Sequence, residues 1–288
     1  MEVILVRPTG YCLGVTSAIR LGLQAKSEHP SETIFMLGLL VHNEDAVAYM
    51  KSLGFEILDE RNAPLEEQLS NLKDGSIVLF SAHGHPEAFD EIAKKKNLIV
   101  YDATCRYVKE NLDYARAHAG KGIIYIGAKG HLEAESFRQN APFAGFYDVK
   151  SKSLLSKPSL DATIALTQTT LSEEDIELAL EDIQKLYPAI KLEKGRCHAT
   201  SSRQEALKKE LEKGVDAAFI IGSELSSNTK KLRDIAQSFG VKTFMALNLE
   251  SLQRLSLPPY SKVVLASGAS TSIEEVRRCQ DYLVSLSS

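Results

Sequence analysis

Leu98-Ile-Val-Tyr-Asp-Ala-Thr-Cys105 decides how the chain is to be read. It holds an apolar, β-branched run long enough for a short strand, then a small polar corner, then a cysteine. Tyr107–Ala117 follows with the apolar spacing of a helix. The same succession occurs twice more. Val3-Ile-Leu-Val6 leads through Thr9-Gly-Tyr-Cys12 to a helix-like stretch at Thr16–Ser27, and Ile190-Lys-Leu-Glu193 leads to Cys197 and a helix-like stretch at Arg203–Glu212. From position 12 to 105 is 93 and from 105 to 197 is 92, in a chain of 288 residues. Such even spacing predicts three copies of one unit, each offering one thiol at the same corner.

Outward from these corners, short apolar runs alternate with amphipathic ones. Strands are predicted at Val3–Val6, Thr33–Leu37, Ser76–Phe80, Leu98–Tyr101, Ile123–Ile126, Thr163–Leu166, Ala217–Ile221, Val241–Met245 and Lys262–Ala266. Helices are predicted at Thr16–Ser27, Glu44–Leu53, Pro86–Lys95, Tyr107–Ala117, His131–Asn140, Glu173–Leu186, Arg203–Glu212, Thr229–Phe239 and Ile273–Leu286. Ser172 with Asp175, Ser201 with Gln204 and Thr271 with Glu274 read as capping boxes. The stretches Lys150-Ser-Lys-Ser153 and Ser156-Lys-Pro-Ser159 read as surface loop. The fold class is α/β with mostly parallel sheets, in three pseudo-repeated units. Their expected bounds are 13–104, 105–196, and 197–288 completed by 1–12.

The repeat extends beyond cysteine. In each third a strand ends on a glycine (Gly38, Gly127, Gly222), and four residues on stands a polar side chain (His42, His131, Ser226). Later in each third a second strand runs into a small polar turn: Ser81-Ala-His-Gly84, Thr167-Gln-Thr-Thr170 and Ser267-Gly-Ala-Ser270. Any α/β protein carries glycine and serine at strand ends. Three matches in the same order as three evenly spaced cysteines are harder to explain that way. Ligands of parallel sheets collect at these strand ends and at helix N-termini. Three such edges facing one another predict a small polar chamber.

Composition narrows the function. Lys+Arg 34 against Asp+Glu 38 gives a net charge of −4, with no basic excess for nucleic acid. No apolar run suits a membrane span, and Met1-Glu-Val3 enters a strand without a signal-peptide pattern. Four scattered cysteines point to a reducing compartment, the cytoplasm by default, and to metal or redox use. Three thiolates suit zinc with one open position, or a [4Fe–4S] cube with one iron left unserved. The lack of any close ligand pair favours the bulkier cluster. Cys279 shares helical spacing with Ile273, Val276 and Leu283 and is expected in the core.

His42, His83, Ser226, Ser227, Asn228 and Ser270 are donors without fixed charge, suited together to a phosphate or diphosphate. His131 and Glu133 pair an imidazole with a carboxyl, and a Glu133 side chain in a dry chamber would have a raised pKa and could deliver protons. These parts fit reductive removal of a hydroxyl from a substrate with an anionic tail.

Gly10-Tyr-Cys-Leu-Gly-Val15, Val41-His-Asn43, Ser81-Ala-His-Gly84, Asp102-Ala-Thr-Cys105, Gly130-His-Leu-Glu133, Thr167-Gln-Thr-Thr170, Cys197-His-Ala-Thr200 with Arg203-Gln204, Ser226-Ser-Asn228 and Gly268-Ala-Ser270 stand in this order. In them, over essentially its whole length, the chain resembles the 4-hydroxy-3-methylbut-2-enyl diphosphate reductase family of the non-mevalonate isoprenoid pathway. The resemblance implies a trefoil of three α/β units around a central iron–sulfur cluster. Cys12, Cys105 and Cys197 would hold a [4Fe–4S] cluster with one non-cysteine-ligated iron open to the substrate hydroxyl. Glu133 would donate the proton, assisted by His131, while Thr169 bonds the hydroxyl. His42, His83, Ser226, Ser227, Asn228 and Ser270 would hold the diphosphate of the allylic substrate. A ferredoxin or flavodoxin would be the electron donor, and neither nucleic acid nor membrane a partner. The chain departs from the family pattern at Thr9, His85, Arg106 and His198. Two alternatives stand beside this reading: an iron–sulfur dehydratase or reductase of another hydroxylated anion, and a non-catalytic zinc or iron–sulfur redox-sensing module.

Overall fold

Every strand and helix expected from the pattern is present, with ends displaced by at most five residues. The structure is a computed structural model that describes residues 1–194 and 197–286; the expected ends of the second and third units, at 196 and 288, lie outside the described residues.

The chain opens on β1 (Glu2–Leu5) and α1 (Leu13–Glu28), then builds a first sheet. This contains β2 (Ile34–Leu37), β3 (Phe55–Leu58), β4 (Ile77–Phe80) and β5 (Ile99–Asp102), joined through α2 (Glu44–Ser52), α3 (Leu65–Ser70) and α4 (Glu87–Lys95). After α5 (Arg106–Ala117) comes a second sheet of β6 (Gly122–Gly127), β7 (Gly145–Asp148), β8 (Ser153–Ser156), β9 (Ala162–Thr167) and β10 (Lys191–Lys194), with α6 (Leu132–Asn140) and α7 (Glu173–Gln184). After α8 (His198–Leu211) a third sheet holds β11 (Ala217–Ile221), β12 (Lys242–Ala246) and β13 (Lys262–Ser267), with α9 (Ser227–Ser238), α10 (Leu249–Gln253) and α11 (Ile273–Ser285).

The strand orders are β3-β2-β4-β5, then β7-β6-β9-β10 with β8 beyond β7, then β12-β11-β13-β1. If each unit's strands are lettered in the order traversed, every sheet reads b-a-c-d. The third sheet takes its last strand from the start of the chain. All pairs are parallel except β7 with β8.

Parallel sheets are covered on both faces, so their inner strands are mostly apolar. Ile77-Val-Leu-Phe80 and Ala217-Ala-Phe-Ile-Ile221 are buried throughout. In β11 the two-residue alternation sends Ala218 and Ile220 to a core with Leu207 and Leu232, and Phe219 and Ile221 to a core with Val276, Cys279 and Leu283. Cys279 is therefore a core residue, as its spacing predicts. Full burial of each such Ile, Leu or Phe side chain contributes about 1.5–3 kcal/mol.

The helix after each cysteine packs on the next sheet, not the one just left. Val15, Ala18 and Ala25 of α1 join Ile34 and Met36; Ala115 of α5 joins Ile123 and Tyr125; Leu207 and Leu211 of α8 join Ala218 and Ile220. Each cysteine thus stands where the chain passes from one unit to another.

Several local expectations need correction. Strands β3, β7 and β8 and the short helices α3 and α10 are not among the expected elements, while β10 falls on the extended run Ile190–Glu193 that precedes Cys197. The stretch expected as loop around 150–159 contains β8, an antiparallel edge on β7. Ser201 is not a cap: it lies inside α8, which starts earlier, at His198, with Cys197 in the cap position. The last helix is capped one residue later than expected, by Ser272 accepting from the Glu275 N–H. The box of Ser172 with Asp175 is present. Among the described residues no helix is long and apolar enough to cross a membrane.

Candidate active site

One hydrogen bond recurs at all three corners. The Cys12 N–H donates to the Ala269 carbonyl at 2.9 Å, the Cys105 N–H to Ala82 at 3.0 Å and the Cys197 N–H to Thr169 at 3.2 Å. Each acceptor stands two residues beyond the end of strand c of its sheet. Each bond ties a cysteine to the polar turn beside it, so thiols and polar turns share one frame.

Inside that frame lies a small chamber with about 100 Å³ of free space. Cys12, His42, His83, Cys105, His131, Glu133, Thr169, Cys197, Ser226, Ser227, Asn228 and Ser270 all line it. Every site residue singled out in the sequence is brought together there. Thr9, His85, Arg106 and His198 lie outside its wall. Arg106 and His198 are exposed first residues of their helices, and the His85 ring packs on Phe80 and approaches Asp90 at 3.2 Å.

The three thiols are half-buried and face one another. Burial pushes the Cys105 thiol up to about 11, and the neighbouring Cys12, Cys197 and Glu133 push the same way. Burial also raises Cys197. Gly14 keeps the space between sulfurs open: a Cβ there would stand 3.0 Å from Cys105 Sγ and 3.8 Å from Cys12 Sγ. Buried Arg203 donates to the carbonyls of Gly10 at 2.7 Å and Ala199 at 2.8 Å. Its positive charge lies within reach of Cys12 and Cys197.

Glu133 is 2% exposed. Its Oε1 accepts from the Thr169 N–H at 2.8 Å and the Tyr125 hydroxyl at 3.3 Å, and its Oε2 accepts from the Thr169 hydroxyl at 2.8 Å. Burial pushes the carboxyl up and these donors pull it down, leaving it at about 7. It can therefore hold or release a proton near neutrality. His131 caps α6, with Nδ1 accepting from the Glu133 N–H at 3.2 Å. That bond puts the neutral ring's proton on Nε2.

The other wall carries hydrogen-bond donors without charge. The His42 and His83 rings stack at 4.2 Å, and His131 meets them edge-on at 5.7 and 6.0 Å. Burial, the largest cause in each case, lowers His42 to about 4, His131 to about 3, and His83 well below its ordinary value, so all three are neutral at pH 7. Ser226 caps α9, whose first residues Ser227 and Asn228 also line the chamber. The free N–H groups of that helix end add to the donors an anion would meet. The Ser270 hydroxyl donates to the His42 carbonyl at 3.1 Å, linking the third unit to the first.

Sequence reasoning missed Tyr125 as a partner of Glu133 and Arg203 as the cation beside the thiols. Tyr125 looks like one more strand residue, and only the packing of α6 on β6 brings its hydroxyl to Glu133.

The LytB protein family model matches residues 3–284. A curated relative from Methylococcus capsulatus, named 4-hydroxy-3-methylbut-2-enyl diphosphate reductase, is 34% identical over 279 residues, covering 94% of this chain and 86% of its own. A relative of the same name from Shewanella pealeana is 33% identical and covers 99% of this chain and 92% of its own. The solved E-1-hydroxy-2-methyl-but-2-enyl-4-diphosphate reductase of Plasmodium falciparum superposes with a TM-score of 0.84 at 30% identity, over 100% of this chain and 88% of its own. On these matches, the chain belongs to the LytB protein family.

Proposed function

We propose that the chain reduces (E)-4-hydroxy-3-methylbut-2-enyl diphosphate to isopentenyl and dimethylallyl diphosphate, the last step of the non-mevalonate isoprenoid pathway. The observation that carries this reading is the convergence, in one chamber, of three thiols, a carboxyl with a pKa of about 7 and a cage of uncharged donors. The reaction takes up two electrons and two protons, breaks the carbon–oxygen bond of the hydroxyl and releases water.

The residues fit an iron–sulfur group. Among the described residues no three His, Cys, Asp or Glu side chains close on a single metal ion. Three thiols presented from three separate helix starts, with Gly14 leaving the gap between sulfurs open, suit a bulkier cluster served one iron per cysteine. When bound by Cys12, Cys105 and Cys197, a [4Fe–4S] cluster would supply single electrons and a Lewis-acidic iron that no cysteine serves. A cluster there would take the cysteines as thiolates, and Arg203, within reach of Cys12 and Cys197, would offset part of their negative charge.

His42, His83, Ser226, Ser227, Asn228 and Ser270 hold the diphosphate through N–H and O–H donors. Glu133 in its protonated form donates from Oε2 to Thr169 Oγ1, which frees the Thr169 hydroxyl proton for the departing hydroxyl. His131 fixes the Glu133 backbone and offers its Nε2 proton. Burial excludes water that would otherwise compete for that proton. The electron donor in this reading is a ferredoxin or flavodoxin, and the compartment is the cytoplasm, a reading that four free cysteines support.

Cluster-replete protein prepared without oxygen, given a reduced dye and the allylic hydroxy-diphosphate, is expected to form both products. Absence of turnover from such protein overturns the reading.

A further inference from the structure

Among the described residues, the chamber wall has donors for a diphosphate but no lysine or arginine. Its three imidazoles are neutral at pH 7, and its hydroxyls and amide carry no charge. Arg203 is committed to the Gly10 and Ala199 carbonyls on the thiol side. A multiply charged anion taken from water into such a space needs a counter-charge nearby.

That charge lies next door. A wide cleft shares His42, His131, Thr170 and Ser227 with the chamber and continues along Lys230, Lys231, Lys150 and Arg61. Most of these cations are occupied. Arg61 pairs with Asp59, Lys231 Nζ stands 2.5 Å from Asp175, and Lys150 Nζ donates to the Lys129 carbonyl at 3.0 Å. The acidic groups on the cleft are Asp59, Glu60 and Asp234, and Asp234 is paired with Arg233 at 2.8 Å. Among the described residues Lys230 has no acidic partner within 4.0 Å.

Position adds to this. Lys230 is in the first turn of α9, three residues after Ser227, and residues so spaced share a helix face. Its charge acts on both His42 and His131, while that of Lys150 acts on His131. A half-buried lysine at the mouth keeps its hydration while the site is empty, which a cation deep in the chamber would lose.

Building on the diphosphate reductase reading, we infer that Lys230, assisted by Lys150 from the second unit, is the cation that recruits and holds the diphosphate at the mouth of the chamber. Charge recognition and hydrogen-bond recognition are thus separated: lysine at the entrance, neutral imidazole and hydroxyl within. An entrance charge acts mainly on capture and on its salt dependence.

The test uses reconstituted holoenzyme over a range of ionic strength, with inorganic pyrophosphate as the competing probe. Lys230→Gln should raise KM for the allylic diphosphate and the inhibition constant of pyrophosphate about tenfold at low salt, and flatten the salt dependence of both. Its kcat should change by less than about threefold, and Lys230→Arg should recover most of the affinity. Lys150→Gln should show the same pattern at about threefold. A Lys230→Gln enzyme with wild-type KM and wild-type salt dependence overturns the inference and leaves the function standing. A wild-type holoenzyme that neither turns over the substrate nor is inhibited by pyrophosphate overturns both.

Discussion

The second unit and its two sisters use one topology for different chemistry. At the position two residues beyond strand c, whose carbonyl takes the cysteine N–H in all three, the first and third units carry Ala82 and Ala269 and the second carries Thr169. Four residues beyond the glycine after strand a stand His42, His131 and Ser226. Only in the second unit does a buried carboxyl follow, at Glu133, where the third unit has Asn228. In the proposed function the repeated scaffold concentrates proton handling in one copy, while most of the diphosphate donors come from the other two. A threefold frame therefore does not require a threefold mechanism: small changes at equivalent corners divide the labour.

Glu133 is where the units differ most. Glu133→Gln keeps the shape and removes the proton, so kcat should fall about 10²–10⁴-fold with KM little changed. An equal loss in KM would make Glu133 a binding residue and erase the distinction between units. A milder test makes the second unit resemble its sisters. Thr169→Ala removes one donor to Glu133 and the hydroxyl beside the substrate, and should lower kcat about 10–100-fold, with Thr169→Ser recovering most of it. Full activity in the alanine variant would show that the position is interchangeable among units.

The pH profile sharpens the same point. In its proposed role Glu133 donates from its protonated form, which is depleted as pH rises through its pKa of about 7, so kcat should decline above that pH. Tyr125→Phe removes a donor that favours the carboxylate, so the declining limb should move up by about half a unit to one unit. A limb that stays put or moves down contradicts the assignment. The smallest effect belongs to the anion side. Ser226→Ala removes a helix cap and one donor of the cage, costing about 1 kcal/mol of stability. It should raise KM about fivefold while kcat holds. A fall in kcat with unchanged KM would place proton chemistry in the third unit as well.

Much of this was legible in the chain. The a and c strands are buried runs of branched and aromatic residues, such as Ile77-Val-Leu-Phe80, and the cysteine spacing announced the repeat. The outer strands were less legible: Phe55-Glu-Ile-Leu58, at an edge, and Gly145-Phe-Tyr-Asp148, next to one, mix charged or small residues into short apolar runs, which periodicity does not distinguish from loop. The crossing of each post-cysteine helix to the next sheet, and the shared bond from cysteine to polar turn, are tertiary and leave no local mark. The same holds for the stacking of His42 on His83 and the reach of Tyr125 to Glu133. The early start of α8 went unseen because Cys197 occupies the cap position without a side-chain capping bond.

The proposed function requires the three equivalent corners to hold one cluster between them. Iron and acid-labile sulfide analysis, with an absorption spectrum, on protein kept free of oxygen tests it most directly, in the wild type and in Cys12→Ser, Cys105→Ser and Cys197→Ser. The wild type is expected to hold about four irons and about four sulfides per chain, and each variant to lose or destabilise them to a similar degree. Zinc without sulfide in the wild type, or a single cysteine whose replacement leaves the cluster and its spectrum intact, would contradict the account.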